Sequence, residues 1–310
     1  MAAPRPTFES DHVPGFDATR TGRISYQGEP GANSHVACQH VFPLMEPVPC
    51  ATFEDALQAT QSGAADCAMI PIENTLAGRV ADVHLLLPEA TLYITGEYFL
   101  PIQYDLMALP GARRADITDV YSHVHALGQC RQIIRALGAR AHVSSDTAGA
   151  AREVSESGVL TRAALAPPLA AQTYGLDVLA KGVADAEHNT TRFLIMGSEP
   201  DDAERSSGDC VTTFIFRVRN VPAALYKVLG GFATNGINMT KLESYQLDGA
   251  FTATVFYADI EGHPDDRNVR LALEELSFFS SELRVLGTYR ASPFRAAAKA
   301  RAEREARGEV

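Results

Sequence analysis

Two threonine hydroxyls and a guanidinium stand side by side in the stretch NTTRFLIMG, at Thr190, Thr191 and Arg192. The apolar residues that follow predict a short buried strand, so these polar groups lie where a strand enters a core. A hydroxyl can donate a hydrogen bond to a departing oxygen, and a guanidinium can hold a carboxylate through two parallel bonds. A cap beside a surface charge is the alternative, and the stretch alone leaves both open.

A glycine-rich turn, YQGEPGANS, follows one predicted strand and precedes a predicted helix, so its N–H groups are placed to bind an anion. It lacks the third glycine and the downstream acid of a dinucleotide fingerprint, and taken alone a structural turn explains it better. The segment MIPIENT puts Glu73, Asn74 and Thr75 at the carboxyl end of a strand, where α/β proteins place ligand groups. A helix cap explains that segment equally well.

The segment YSHVHALGQC contains a serine, two histidines and a glutamine. His123 and His125 would lie on opposite faces of a strand, and no third ligand is near them, so no metal is predicted. Ser122 as a helix N-cap is the plain alternative, and SSDTAGAA reads first as a capped helix start. Because all these polar clusters fall at strand-to-helix junctions, they are expected to line one cleft between two lobes.

Composition and charge narrow the class of protein. The chain has 310 residues, of which 46% are hydrophobic and 21% are charged, enough for about two domains. A net charge of -11 argues against nucleic acid or an anionic membrane as partner and leaves an anionic small substrate possible. Five scattered cysteines predict reduced thiols in the cytoplasm. No apolar run of about 18 residues occurs, so a soluble protein is expected.

The pattern of elements divides the chain. Short strands alternate with amphipathic helices, which predicts an open α/β arrangement in two lobes. The spacing Thr52…Asp55 predicts a capping box, and GRVADVHLLL predicts a further helix. A different pattern of elements follows, in the order βαββαβ, with a hairpin turn at Asp248-Gly249. The expected parts are a disordered tail 1–22, a catalytic domain 23–198 with lobes about 23–98 plus 185–198 and 99–184, a linker 199–209, a domain 210–290 and a C-terminal tail 291–310.

The ordered motifs YQGxxGxxS, PIENTxxGxV, SHxxALxQC, SSDTAxAA, YGL and NxTRF together resemble prephenate dehydratase, from about Arg23 to Met196. The segment NVPAALYKVLGGFATNGINMTKLES looks like the ACT regulatory domain that follows it in that family. The resemblance implies an α/β fold with a two-lobed periplasmic-binding-protein-like catalytic domain and a ferredoxin-like βαββαβ ACT domain. It further implies conversion of prephenate to phenylpyruvate, water and CO2 in phenylalanine biosynthesis, no cofactor or metal, a homodimer or homotetramer, and phenylalanine as inhibitor.

The resemblance also assigns roles to residues. Prephenate becomes aromatic when it loses CO2 and hydroxide, so the site needs a donor for the leaving oxygen rather than a base, and Thr191 is that residue. Asn74, Ser122 and Gln129 would orient the substrate, and Glu73 would position them. The further substrate-binding candidates are Gly28, Gly31, Ser34, Thr75, His123, Ser144, Ser145, Thr147, Arg192 and Phe193. On a regular strand Arg192 points away from Thr191, so its alternative role is an ion pair that locks the strand. The alternative role of Phe193 is hydrophobic packing.

The effector candidates lie in the ACT-like part, and two positions depart from the family pattern. The candidates are Ala223, Ala224, Leu225, Asn235, Gly236, Ile237, Asn238, Glu243 and Ser244. Ala223 stands where the family places glycine, and Tyr245-Gln246 stand where it places Arg-Pro. These departures predict weak or altered inhibition by phenylalanine.

Two other functions remain open from the sequence. An arogenate or cyclohexadienyl dehydratase would use the same cleft for a substrate with an amine in place of the keto group. A non-enzymatic aromatic amino-acid sensor would combine a binding cleft with an ACT module. The hydroxyl of Thr191 argues against the sensor, because a protein that only binds needs no donor to a leaving group.

Overall fold

The computed structural model describes residues 13–186, 188–207, 209–219, 221–246 and 255–308. The chain forms two compact units. The first contains the chain up to Val80 together with Tyr98–Phe193, and the second contains Ala81–Glu97 and the chain from Leu194 onward. Among the described residues, no helix combines the length and the apolar character needed to cross a membrane.

The first sheet belongs to the first lobe and has the strand order β2-β1-β3-β11-β5, with β4 beside β3. Its strands are β1 (Arg23–Gln27), β2 (Glu46–Cys50), β3 (Cys67–Asn74), β4 (Gly78–Arg79), β5 (Tyr93–Pro101) and β11 (Thr190–Gly197). Strand β1 pairs in parallel with β2 and β3, so β1 and β3 end at the same edge. Strand β11, which contains the TTRF residues, lies between β3 and β5 in this sheet.

Three short helices accompany this sheet in the chain: α1 (Asn33–Val41), α2 (Phe53–Gln61) and α3 (Ala81–Leu86). The predicted capping box of α2 is confirmed. The Asp55 N–H donates to Thr52 Oγ at 3.0 Å, and the Thr52 N–H donates to the Asp55 carboxylate at 3.2 Å. Two of the four N–H groups that a helix start leaves without partners are thereby satisfied, which fixes where α2 begins.

The second sheet forms the second lobe of the same unit, in the order β10-β6-β9-β7-β8. Its strands are β6 (Asp105–Ala108), β7 (Asp119–Ser122), β8 (Arg140–Val143), β9 (Arg162–Ala166) and β10 (Asp177–Ala180). Its helices are α4 (Val124–Gln129), α5 (Arg131–Leu137), α6 (Thr147–Ser157) and α7 (Pro168–Tyr174). Alanines dominate the buried cluster between α6, α7 and this sheet, because small side chains let helices approach strands closely.

The C-terminal unit shows the predicted element order: β12 (Cys210–Val218), α8 (Ala224–Thr234), β13 (Met239–Tyr245), β14 (Val255–Glu261), α9 (Arg267–Phe279) and β15 (Ser280–Arg290). Its sheet is antiparallel in the order β13-β14-β12-β15. Four phenylalanines, Phe214, Phe216, Phe232 and Phe256, form the centre of its core with aliphatic side chains from α8 and α9. A final helix, α10 (Pro293–Ala306), has no buried residue.

The structure differs from the sequence-based expectations at several places. Gly78 and Arg79 form β4 beside β3, so the helix expected over GRVADVHLLL begins only at Ala81. Residues 13–22 of the expected tail form turns, and Phe16 packs edge-on against Phe42 with ring centroids 5.7 Å apart. The hairpin turn at Asp248-Gly249 lies outside the described residues.

The segment Ala81–Glu97 groups with the C-terminal unit rather than with the first lobe, where the sequence places it. Arg284 donates to the Pro88 carbonyl at 3.1 Å, and a side chain at Gly287 would collide with the Ile94 carbonyl. Arg295 holds both oxygens of Glu97, at 2.6 and 2.9 Å. These contacts tie the start of β5 to β15 and α10.

Candidate active site

A direct hydrogen bond joins the two most specific motifs of the sequence. Asn74, the last residue of β3, donates from Nδ2 to Thr191 Oγ at 2.9 Å. Thr191 is half-buried, so its hydroxyl is not sealed in the core. The Asn74 N–H occupies a lone pair of the hydroxyl, which makes Thr191 the acceptor in this contact and leaves its own proton for another acceptor. Among the described residues, no protein acceptor takes that proton.

Backbone and side-chain hydrogen bonds hold the end of β3 against the start of β11. The Thr75 N–H donates to the Thr190 carbonyl at 3.0 Å, and the Thr190 N–H donates to Thr75 Oγ at 2.9 Å. Thr75 Oγ donates in turn to the His188 carbonyl at 2.8 Å. Thr75 therefore fixes the register of the two segments, and its hydroxyl is engaged with the backbone.

Gln129 joins the same cluster through a residue that the sequence did not single out. Asn189 donates from Nδ2 to Gln129 Oε1 at 2.7 Å and accepts from Asn74 Nδ2 at 2.8 Å. Asn189 is 3% exposed, and Gln129 is half-buried at the end of α4. The sequence signal for Asn189 is the asparagine of the NxTRF motif, because an amide side chain buried at a strand entrance requires hydrogen-bond partners.

Arg192 and Glu73 form an ion pair beside this cluster. Arg192 Nη1 lies 2.9 Å from Glu73 Oε1, and the Arg192 side chain is 2% exposed. The guanidinium also lies over the Phe99 ring, 6.0 Å from its centroid. Phe193 is 1% exposed. The structure thus gives Arg192 and Phe193 their alternative roles, a strand-locking ion pair and core packing.

Ser122 and His123 occupy the end of β7 and the start of α4. Ser122 is fully buried, and its Oγ donates to the Leu165 carbonyl at 2.6 Å. The expectation that Ser122 is the helix N-cap is wrong, because His123 is the cap and its Nδ1 accepts from the His125 N–H at 3.4 Å. The Ser122 hydroxyl joins β7 to the neighbouring strand β9.

The glycine-rich turn of the first lobe is bound to the second lobe. Arg152 on α6 donates from Nε and Nη2 to the two carboxylate oxygens of Glu29, at 2.8 and 2.9 Å. Hydrogen bonds from Arg152 hold the pKa of Glu29 below its ordinary value of 4.5. Tyr174 donates to the Pro30 carbonyl at 2.8 Å, and a side chain at Gly31 would lie 2.9 Å from Ala170 Cα.

His35 completes this turn. The Gly31 N–H donates to His35 Nδ1 at 2.9 Å, so this backbone donor is engaged. Burial lowers the pKa of His35, which keeps the ring neutral and able to accept. Gly28 is half-buried, and Ser34 is buried in the first turn of α1.

The start of α6 is a capped helix, as the sequence predicts. Asp146 is the N-cap, and its Oδ1 accepts from the Gly149 N–H at 2.7 Å. Ser144 donates to Glu153 Oε2 at 2.9 Å, which commits its hydroxyl to α6. Thr147 is 9% exposed at the first helical position, while Ser145 is exposed.

The effector candidates lie at the two ends of α8 and on β13. Ala223 precedes α8 with a left-handed φ of 62°, and Ala224 and Leu225 form the first turn. Asn235 caps the other end, because its side chain donates to the Gly231 carbonyl at 2.8 Å. Gly236 follows, and Ile237 is 9% exposed in the core. The Asn238 carbonyl accepts from the Glu261 N–H. On β13, Glu243 lies 3.3 Å from Lys241, and Ser244 pairs with Phe256.

Tyr245 takes the position at which the sequence departs from the effector pattern. It is 5% exposed, and its hydroxyl hydrogen-bonds His84 Nδ1. Its ring centroid also lies 5.3 Å from that of His84. Tyr245 therefore packs into the C-terminal unit, while Gln246 beside it is exposed.

Comparison with known proteins bears on this cluster. A family model described as prephenate dehydratase matches residues 24–201. A Komagataeibacter europaeus protein named bifunctional N-acyl-homoserine lactone acylase/prephenate dehydratase is 48% identical over 272 residues, 88% of this chain and 97% of that one. Arogenate dehydratase/prephenate dehydratase 1 of Arabidopsis thaliana is 38% identical, over 86% of this chain and 71% of that one.

A solved structure supports the same relationship. Prephenate dehydratase from Arthrobacter aurescens in complex with L-Phe superposes with a TM-score of 0.80 at 30% identity, covering 93% of this chain and all of that one. All the residues of the Asn74–Thr191 cluster fall inside the matched range 24–201.

Proposed function

Because the chain belongs to the prephenate dehydratase family and is an enzyme of that kind, we propose that it converts prephenate to phenylpyruvate, water and CO2 with Thr191 as the donor to the leaving oxygen. The hydrogen bond from Asn74 Nδ2 to Thr191 Oγ carries the proposal. Because Thr191 accepts from Asn74, its proton is directed elsewhere and can be donated to a substrate oxygen.

The chemistry needs little from the protein beyond this donor. The bond between the ring and its carboxylate breaks, its electrons enter the ring, and the bond to the hydroxyl oxygen on the opposite carbon breaks. The products are CO2, an aromatic ring and hydroxide, which becomes water by taking a proton. A hydrogen bond to the departing oxygen strengthens as negative charge grows there, so it stabilises the transition state more than the bound substrate.

The substrate is a dianion, so the remaining groups in this proposal are donors. The candidates for its oxygens are the Gln129 amide, the Ser34 and Ser145 hydroxyls, and the N–H groups of Thr147 and Ala148 at the start of α6. The helix N-terminus adds a favourable electrostatic contribution for an anion. Ser122, Ser144 and Thr75, by contrast, support the site by fixing backbone, because their hydroxyls already donate to protein oxygens.

The test is a pair of substitutions at Thr191. We expect Thr191→Val, which keeps the shape and removes the hydroxyl, to lower kcat on the order of a hundredfold with little change in KM. Thr191→Ser restores the hydroxyl and should recover most of kcat. Steady-state kinetics of phenylpyruvate formation measures both, and a Thr191→Val enzyme within threefold of the parent would remove this role from Thr191.

Prephenate is proposed over arogenate as the better substrate, and several plant relatives carry both names. The two differ only in a keto group against an amine. Turnover of the two purified substrates by one enzyme preparation decides between them. A kcat/KM for arogenate above that for prephenate would reverse the assignment.

A second activity is raised by the Komagataeibacter europaeus relative, whose name includes N-acyl-homoserine lactone acylase. The identity of 48% over 88% of this chain makes hydrolysis of such amides a candidate here. Release of free homoserine lactone from a purified acyl-homoserine lactone would establish it. The Thr191→Val variant then shows whether the two reactions share one site.

The C-terminal unit is proposed to be an ACT regulatory domain of ferredoxin-like fold that binds phenylalanine. The element order, the sheet order and the Arthrobacter aurescens structure named as a complex with L-Phe support this. We further propose a cytoplasmic homodimer or homotetramer, in keeping with five free cysteines.

Phenylalanine is expected to inhibit this enzyme weakly. Tyr245 stands where the family pattern has arginine. Its side chain is buried against His84 and carries no charge that could bind an amino-acid carboxylate. Initial rates on prephenate over a range of phenylalanine concentrations measure the inhibition. Half-inhibition at low micromolar phenylalanine would contradict this expectation.

A further inference from the structure

The amide side chains of Asn74, Asn189 and Gln129 form a hydrogen-bonded chain whose direction is fixed from one end. The N–H groups of Leu76 and Ala77 donate to the same terminal atom of Asn74, at 2.9 and 2.8 Å. A backbone N–H can only donate, so that atom is Oδ1 and the Asn74 amide has one orientation.

The orientation passes from one amide to the next. Since Asn74 presents its NH2 group to Asn189, the facing atom of Asn189 is Oδ1, at 2.8 Å. The other side of Asn189 is then its NH2 group, which donates to Gln129 Oε1 at 2.7 Å. Asn189 is 3% exposed, so water does not compete for these bonds. The Gln129 NH2 group consequently points away from Asn189, and no described residue accepts from it.

The backbone holds both partners in place. The Asn189 carbonyl accepts from the Ile102 N–H at 2.8 Å, and the Asp185 N–H donates to the Gln129 carbonyl at 2.6 Å. The Asp185 carboxylate also accepts from the Arg131 N–H at 2.9 Å, at the start of α5. Asp185 therefore holds the backbone of Gln129, and Asn189 holds its side chain.

We propose that Asn189 is a positioning residue that sets the polarity of Gln129, so that the Gln129 NH2 group faces the anionic substrate. This rests on the proposed dehydratase function. A dianion accepts hydrogen bonds and repels lone pairs, so the same glutamine turned by 180° would change from attraction to repulsion. Asn189 itself touches no substrate; it excludes the unproductive orientation of Gln129.

A double-mutant cycle tests the proposal. In Asn189→Asp the side chain still accepts from Asn74 but has no N–H for Gln129, so the glutamine amide should turn and present Oε1 to the substrate. We expect KM for prephenate to rise roughly tenfold with kcat little changed, as for loss of one hydrogen bond to a charged group. Gln129→Met should raise KM by a similar factor. The double variant should show no greater loss than either single variant, because Asn189 acts through Gln129.

The outcomes separate this inference from the function on which it rests. Multiplying losses in the double variant, or a parent-like KM in Asn189→Asp, would overturn the role of Asn189. A parent enzyme that does not turn over prephenate, or a fully active Thr191→Val, would instead refute the proposed function. If Asn189→Asp is not folded under the assay conditions, Asn189→Ala replaces it in the cycle. The double variant with Gln129→Met is again expected to lose no more than either single variant.

Discussion

A buried guanidinium distinguishes the NTTRF segment from an ordinary strand entrance. Arg192 is 2% exposed, and its counter-charge Glu73 is 32% exposed on the neighbouring strand. Removing a charge from water is costly, and a nearby carboxylate at 2.9 Å offsets that cost. The pair therefore stabilises the register of β3 against β11, which in turn holds Asn74 next to Thr191.

The expected consequence is a loss of stability when the carboxylate is removed. Glu73→Gln leaves the Arg192 charge buried without this partner, and we expect it to lower the free energy of unfolding by on the order of 3 kcal/mol. Urea denaturation measures the change. Asp116→Asn, which breaks the exposed pair with Arg113 at 2.7 Å, is the control and should leave the midpoint unchanged. Equal midpoints for Glu73→Gln and the parent would show that the pair contributes nothing.

At the scale of the element, the start of α8 carries backbone strain. Ala223 has a φ of 62°, the one positive φ of a residue other than glycine among the described residues. A side chain in this left-handed conformation costs roughly 1 kcal/mol, because Cβ crowds the following carbonyl. The family resemblance places glycine at this position, and the geometry supplies the reason: glycine has no Cβ to crowd.

Ala223→Gly is therefore expected to raise the free energy of unfolding, by about 0.5–1 kcal/mol after the entropy of the unfolded chain is included. Ala233→Gly, an exposed position inside α8, is the matched control and should change stability by on the order of 0.5 kcal/mol in the opposite direction. Urea midpoints of both variants give the comparison. A loss of stability in Ala223→Gly would show that the left-handed conformation is not strained in solution.

At the scale of the whole molecule, the first unit has two lobes that meet through Glu29 and Arg152. The bidentate pair joins the turn after β1 to α6, and Tyr174 adds a second bond to the same turn. The Arg152 side chain is 39% exposed and the Glu29 side chain is 33% exposed, so the pair stabilises the contact only modestly. The pair nevertheless gives the two lobes a specific, bidentate contact.

The pH dependence of this contact follows from the lowered pKa of Glu29. The unfolded chain takes up a proton near pH 4.5, before the folded chain does, so the stabilisation is complete above that value and is lost as pH falls through the lower folded pKa. Glu29→Gln should be less stable than the parent at about pH 7, and the difference should shrink toward about pH 3. Urea midpoints at both pH values measure it.

Glu156→Gln is the control for this prediction. Glu156 contacts the same Arg152 at 3.3 Å, but from one turn further along α6, so it does not join the lobes. We expect a smaller effect on stability than in Glu29→Gln. A difference between Glu29→Gln and the parent that stays constant with pH would contradict the titration of Glu29 as its cause.

The sequence by itself predicted most of the order of elements, and it proposed Thr191 as the reacting group. Capping signals such as Thr52…Asp55 act within a few residues, and buried strands can be recognised by their apolar composition. Both can therefore be predicted without tertiary information. The motifs around Asn74, Gln129 and Thr191 predict side chains that lie close together, and these three belong to one hydrogen-bonded cluster.

Only the tertiary structure decided which partner each polar group takes. Ser122 donates to a strand beside it, Arg192 turns to Glu73, and Ser144 turns to Glu153, while Asn189 links two lobes. Except for Ser144 and Glu153, which are nine residues apart, these contacts join residues far apart in the chain, and local patterns carry no information about them. The physical reason is that a buried polar group must find a hydrogen-bond partner, and the fold alone determines which one is within reach.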